Sequence, residues 1–225
     1  MESPFSSWME RFNLEHPNVF TKDPANEEKK LIGDAGNKHE AAYLSGLKKK
    51  YNDVCEIARD ANSKAATKKA IQERRRIIFQ PHPEMEGFSG YADFLRLNSD
   101  NEYEILDTKL ARSVKPYFLI QLCCYAEMLS KVTNEIPQTI GIILGSNEER
   151  TFPTNDFFDY YLSLKNSFLN QMNEWDKDVQ PSPQPSAEHR DWSQEALKWM
   201  HDKDHLSLIA SINHTQIKKL NDQGI

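Results

Sequence analysis

Apolar residues at roughly helical spacing open the chain: Trp8, Met9, Phe12, Leu14 and Phe20 predict a helix within residues 3–20 that packs as a lid or a flank. Pro24 and the polar residues through Lys30 read as a loop. Gly33-Asp34-Ala35-Gly36-Asn37 resembles a turn leading into a helix that carries Lys38, His39, Glu40, Ala41, Ala42, Tyr43, Leu44 and Leu47. Val54, Ile57 and Ala58 suggest a short strand or helix, and residues 67–73 a second helix. The texture then changes. Three extended runs, 77–80, 88–97 and 103–110, are separated by turn-rich segments at 81–87 and 98–101, which is the pattern of a β-meander. Pro116 begins a strongly apolar helix over 117–132, followed by a buried-looking strand at 139–144 that ends at Gly145. Residues 156–175 read as a long aromatic helix, and 192–200 and 205–220 as two more. The order is mixed α/β with antiparallel strands in the middle, and no internal repeat is present.

The third run contains Asp107-Thr108-Lys109. Residues two apart on a strand share a face, so a carboxylate and an ammonium project side by side. If Asn98 pairs with Glu102 across a three-residue loop, the register sets Asp93 directly opposite Asp107. Two like charges so placed repel unless a cation sits between them, and Lys109 is on the same face. Two carboxylates and a lysine on one cleft wall can hold a divalent cation and a phosphate; equally, they can form a surface ion pair of little energetic consequence. Gly87-Phe88-Ser89-Gly90 supplies glycines where a backbone approaches a ligand, and Leu106 and Leu110 assign the other strand face to the core. Gln121 and Tyr125 stand one turn apart on the apolar helix, either as a satisfied core feature or as part of the same cleft.

Composition narrows the class. At 225 residues the chain holds one generous α/β domain with an appendage. The net charge of -6 argues against non-specific polyanion binding, but residues 46–76 carry ten basic against four acidic side chains, leaving +6 there and -12 elsewhere. That stretch is either a phosphate track or a solvated helical face. Three cysteines without a CxxC pair (Cys55, Cys123, Cys124) argue for a reducing compartment and against a disulfide scaffold. The start shows no secretory signal and no apolar run long enough to span a bilayer, so a cytoplasmic location without membrane association is expected. The glycosylation pattern at Asn213 accordingly carries no weight. Pro181-Ser182-Pro183-Gln184-Pro185 marks a linker by composition, giving an expected division into 1–180, a Pro-rich linker at 181–186 and a helical appendage at 187–225.

Four of these segments, in this order, resemble the RecB-like branch of the PD-(D/E)XK nucleases. They are Gly33 through Glu40 as the histidine motif, Gly87 through Asp93 as the first acid, Asp107-Thr108-Lys109 as the signature pair, and Gln121-Leu122-Cys123-Cys124-Tyr125 as the QxxxY motif. Ser3-Pro4-Phe5-Ser6-Ser7-Trp8-Met9, the run 107–112 and the run 115–129 further resemble a group of RecB-like nuclease domains found in front of a helicase, and 204–208 and 216–220 resemble the region that follows the nuclease there. By that resemblance the end at Ile225 is a cut through a longer protein.

The resemblance implies a restriction-endonuclease-like core: a three-stranded antiparallel meander, a helix and a strand, flanked by helices. It implies a metal-dependent deoxyribonuclease acting in DNA repair, processing or defence. His39, Asp93, Asp107 and the Thr108 carbonyl would bind Mg²⁺ or Mn²⁺, which would lower the pKa of a bound water. Lys109 would position that water and stabilise developing charge. Gln121 and Tyr125 would contact the nucleic-acid backbone or hold Lys109. Arg112 and Lys115 would add phosphate contacts, and Glu40 is a secondary metal-site candidate. DNA, single-stranded or duplex, and a fused or associated helicase are the implied partners. Many relatives hold an iron–sulfur cluster, but four thiolates cannot come from three cysteines and 188–192 offers none, so no cluster is expected. Cys123 and Cys124 are expected in the core. His201 and His205 have the spacing of a helical zinc pair or are surface histidines. Two alternatives stand beside the nuclease: a catalytically silent DNA-binding or interaction module of a helicase-nuclease system, and a phosphoesterase acting on small molecules or RNA.

Overall fold

The computed structural model of the chain describes residues 3–24, 27–183 and 189–224. Helix α1 (Pro4–Glu15) starts where Ser3 Oγ accepts the Ser6 amide at 3.2 Å and Pro4 takes the first helical turn. Helix α2 (Glu27–Lys50) has acids in its first turn and three lysines in its last, matching the helix dipole. Residues 27–30 of the expected loop and the turn expected at Gly33–Asn37 are therefore part of this helix. Both glycines there face open space. Their cost, about 1 kcal/mol each, is carried by the helix-forming Glu, Lys, Leu, Ile and Ala around them.

Strand β1 (Val54–Glu56), helix α3 (Ser63–Gln72) and strand β2 (Ile77–Phe79) follow. The expected run 88–97 is divided. Strands β3 (Glu84–Met85) and β4 (Phe88–Ser89) form their own hairpin around Gly87, whose φ of 76° suits a residue without a Cβ. The main ladder resumes at β5 (Phe94–Leu97) and β6 (Tyr103–Lys109). Helix α4 (Pro116–Thr133) and strand β7 (Thr139–Leu144) match the expected positions. Strand β8 (Glu149–Pro153), which the apolar pattern does not mark, turns back along β7 after Asn147 in the left-handed region, and helix α5 (Asn155–Asn173) follows. As an edge strand β8 carries Glu149, Arg150 and Pro153, residues that discourage further pairing.

The six-stranded sheet has the order β1-β2-β5-β6-β7-β8. β2, β5 and β6 are the expected antiparallel meander, whereas β1 with β2 and β6 with β7 run parallel, each pair joined across a helix. Adjacent residues serve opposite faces. Ile78, Leu95, Ile105 and Ile142 pack with α3, α4 and the start of α5 around the fully buried Leu122 and Leu129. Ile77, Phe94, Leu106 and Ile143 pack beneath Leu44 and Leu47 of α2. Covered on both sides, these strands read as continuous apolar runs. Leu110, expected in the core, lies past the end of β6 and is exposed. Cys123 is fully buried, and Cys124 is partly buried against the same cluster.

By contacts the chain forms two compact units, Glu27–Ser163 and Met1–Asn26 with Leu164–Ile225. The second is built on Phe5, Trp8, Met9, Trp192 and Ala196, with Trp192 Nε1 donating to Glu10 and Trp8 Nε1 to the Asp176 carbonyl. It contains α6 (Ser193–Asp202) and α7 (His214–Asp222). The single helix expected at 205–220 is broken by a 3-10 turn at Leu206–Leu208 and restarts at a capping box of Asn213 and Gln216. His205 thus lies beyond the end of α6, bonded to Ser207 Oγ, and does not share a helical face with His201. Residues 184–186 of the expected linker, Glu188 and Ile225 lie outside the described residues. No helix among the described residues is long and apolar enough to cross a membrane.

Candidate active site

The ladder between β5 and β6 pairs Phe94 with Leu106 and Leu97 with Tyr103, and the Asn98 amide donates to the Glu102 carbonyl at 2.8 Å. Continued by one residue, that register sets Asp93 opposite Asp107. The Thr108 amide and hydroxyl both donate to Asp93 Oδ2 at 2.7 Å, orienting the first carboxylate against the second strand. Asp107 is 3% exposed, and its Oδ2 lacks a hydrogen bond of good geometry. Lys109 Nζ stands 2.6 Å from that atom as an ion pair.

Helix α4 lies over this end of the sheet. Lys109 Nζ donates to Gln121 Oε1 at 3.3 Å, Gln121 Nε2 to the Tyr125 hydroxyl at 3.4 Å, and that hydroxyl to the Tyr91 carbonyl at 2.7 Å. A Cβ added at Gly90 would sit 3.4 Å from the Tyr125 ring, an ordinary contact distance. The one-turn spacing of Gln121 and Tyr125 thus joins the lysine to the loop that carries Asp93.

Burial dominates the electrostatics. It raises the Asp107 pKa to about 7, the Asp93 charge adds to the rise, and Lys109 only partly opposes it. Burial disfavours the Lys109 ammonium, but Asp107 and then Asp93 outweigh it and raise the lysine pKa. The Tyr125 phenol is raised by burial, with Gln121 opposing and the two aspartates assisting.

From α2, Glu40 joins this group. Its pKa is raised by burial and then by Asp93, and lowered by its bond from Gln80 and by Arg59 and Lys109. His39 Nε2 lies 3.4 Å from the carbonyl of Ile143, the β7 residue paired with Thr108. Arg112 and Lys115 are exposed before α4, Lys115 over the Tyr117 ring. Sequence spacing alone does not single out Gln80, which links Glu40 to this end of the sheet, since nothing in its neighbourhood is periodic.

Among the described residues no three His, Cys, Asp or Glu side chains converge as a ready ligand set. The donors that do meet are nevertheless suited to a hard cation: two carboxylates on adjacent strands, one with a buried oxygen lacking a directed partner, and a third carboxylate within electrostatic reach. No family model matches the chain, and no curated protein matches it either.

Proposed function

We propose that this chain is a metal-dependent nuclease that hydrolyses DNA phosphodiester bonds, of the RecB-like PD-(D/E)XK type, with its chemistry at the end of β5 and β6. The observation that carries the reading is that Asp93, one residue before β5, is bonded by Thr108 of β6 next to the buried Asp107, with Lys109 Nζ 2.6 Å from Asp107. Support also comes from the order of elements: an antiparallel β2, β5, β6, then α4, then β7 parallel to β6.

Asp93 and Asp107 would hold Mg²⁺ or Mn²⁺, with Glu40 and the Thr108 carbonyl as further oxygen donors and His39 as the remaining candidate. Such a cation offsets charge on the scissile phosphate and makes a bound water more acidic. Lys109 remains an ammonium because its carboxylate neighbours favour the charged form. It orients the attacking water and faces the charge that develops on the phosphoryl oxygens. Gln121 fixes the direction of that ammonium, and Tyr125, anchored on the Tyr91 carbonyl, holds the Asp93 loop against α4. Arg112 and Lys115 contact the backbone of the bound strand. A helicase, fused or associated, delivers that strand.

The test is cleavage of single-stranded and duplex DNA by the purified chain in Mn²⁺ and Mg²⁺. Asp107→Ala and Lys109→Ala each lower the rate by about 100-fold or more, and cleavage by both variants at the wild-type rate sinks the assignment. A second reading, a catalytically silent DNA-binding module, is favoured by the lack, among the described residues, of three convergent ligand side chains. Calorimetry with Mn²⁺ separates the two: a site lost in Asp107→Ala supports the nuclease, and no binding by wild type supports the silent module.

A further inference from the structure

We propose that Arg59 is a substrate-positioning residue that grips a backbone phosphate next to the one at Asp93 and Asp107. This rests on the nuclease reading and adds a residue to it. The basic stretch that contains Arg59 is largely committed to internal contacts: Lys48 pairs with Glu56, Lys64 with Glu84, Lys69 with Glu73, and Arg75 with Asp53. Arg74 bonds Asn101, and Arg76 bonds the Asn98 carbonyl and covers Tyr51.

Arg59 differs in both partner and place. Its Nε donates to Gln80 Oε1 at 3.0 Å, and its guanidinium lies 4.9 Å over the Tyr91 ring, with no carboxylate in ion-pair contact among the described residues. The other edge of the Gln80 amide donates to Glu40 at 3.1 Å, so one side chain fixes both a candidate metal-site acid and the arginine. Gln80 itself sits in the left-handed region at φ 50°, held there by its amide on the Asp93 carbonyl at 2.8 Å. A non-glycine residue in that region is strained and persists where the surroundings enforce it. Tyr91 stacks on His82 at 4.0 Å, and its carbonyl takes the Tyr125 hydroxyl. With Nε and one face thus occupied, the exposed arginine presents the two terminal nitrogens of its planar fork, the geometry that clasps a phosphate.

The test uses the whole chain with a fluorescent single-stranded oligonucleotide, reading anisotropy in chelator across a salt series and cleavage in Mn²⁺. Arg59→Ala weakens binding about tenfold and lowers the salt slope by about 0.7, the contribution of one phosphate contact on a single strand. It also raises KM more than it lowers kcat. Arg59→Lys restores the slope but not the full affinity. A neutral methylphosphonate at one position weakens wild type and makes no difference to Arg59→Ala. If wild type binds and cuts while Arg59→Ala keeps its slope, KM and methylphosphonate profile, the assignment of Arg59 is overturned and the nuclease stands. If wild type neither binds nor cuts DNA, both fall together.

Discussion

Asp107→Asn tests the energetics of the site without any substrate. The carboxyl is held near a pKa of about 7 by burial and by Asp93, against 3.8 for the unperturbed group. A carboxyl with a raised folded-state pKa contributes stability that is fully present below its unfolded pKa and is lost as pH rises through the folded one. Between pH 5 and pH 7 the metal-free protein should therefore lose about 2 kcal/mol, since the slope of about 1.36 kcal/mol per unit halves as pH reaches the folded pKa. Asparagine keeps the shape and cannot ionise, so the variant lacks this part of the slope. Lys109 does not interfere: its raised pKa places its own loss of stability far above this window. All four tryptophans, Trp8, Trp175, Trp192 and Trp199, lie in the other unit, so tryptophan fluorescence would report on the wrong part of the chain. Urea unfolding followed by far-UV circular dichroism, in chelator at fixed ionic strength from pH 5 to 8, includes the signal of α2 and α4. Wild type and variant falling in parallel over that range would refute the reasoning. Saturating Mn²⁺ at pH 8 should stabilise wild type, by about 2.7 kcal/mol at a hundredfold excess over Kd, and leave Asp107→Asn unmoved.

Three further outcomes are expected. Thr108→Val removes the hydroxyl that orients Asp93 and should weaken Mn²⁺ binding by about 10- to 100-fold in calorimetry, with the fold retained. Gly141→Ala brings a Cβ to 2.7 Å from Leu106 Cδ2 between two buried strands and should cost about 1–3 kcal/mol in urea unfolding. Arg96→Ala strips the cation from Glu104 and Glu149 on the half-buried α2 face of the sheet and should destabilise by about 3 kcal/mol in the same assay, less at high salt.

Elements whose apolar pattern is dense were legible in the sequence, and those held by tertiary contacts were not. Strand β7 and helix α4 are apolar on the face that packs and carry their own stop signals, Gly145 and the left-handed Asn134. The register of β5 on β6 was legible because a three-residue loop leaves few ways to close it. Strand β8 was hidden because an edge strand of charged residues has little apolar signal to give. The start of α2 is a helix where its glycines suggest a turn, because a long solvated helix tolerates them. The contact of His39 could not be read from its motif, since it depends on where α2 crosses the sheet. Glu40, one residue along, senses Asp93 and Lys109 electrostatically.

That difference bears on what the charged cluster is for. If Asp107 served only the fold, an apolar residue of similar volume at 3% exposure would serve it better, because a buried ion pair returns little beyond the cost of desolvating it. Here the cost is compounded. The Asp93 charge adds to the cost of burying Asp107, and the ammonium paired with Asp107 is itself partly desolvated. On both faces the sheet is covered by apolar packing that can sustain such a defect, and the defect sits where β6 ends beside the start of β5, near the bond of the Tyr125 hydroxyl to the Tyr91 carbonyl. In the proposed nuclease, a site that lowers stability, gathers groups with shifted pKa values and is braced by a glutamine, a tyrosine and a threonine would serve a ligand rather than packing. A hard cation would reverse the cost by neutralising both carboxylates at once, which is why metal-dependent stabilisation at high pH separates this account from a purely structural ion pair.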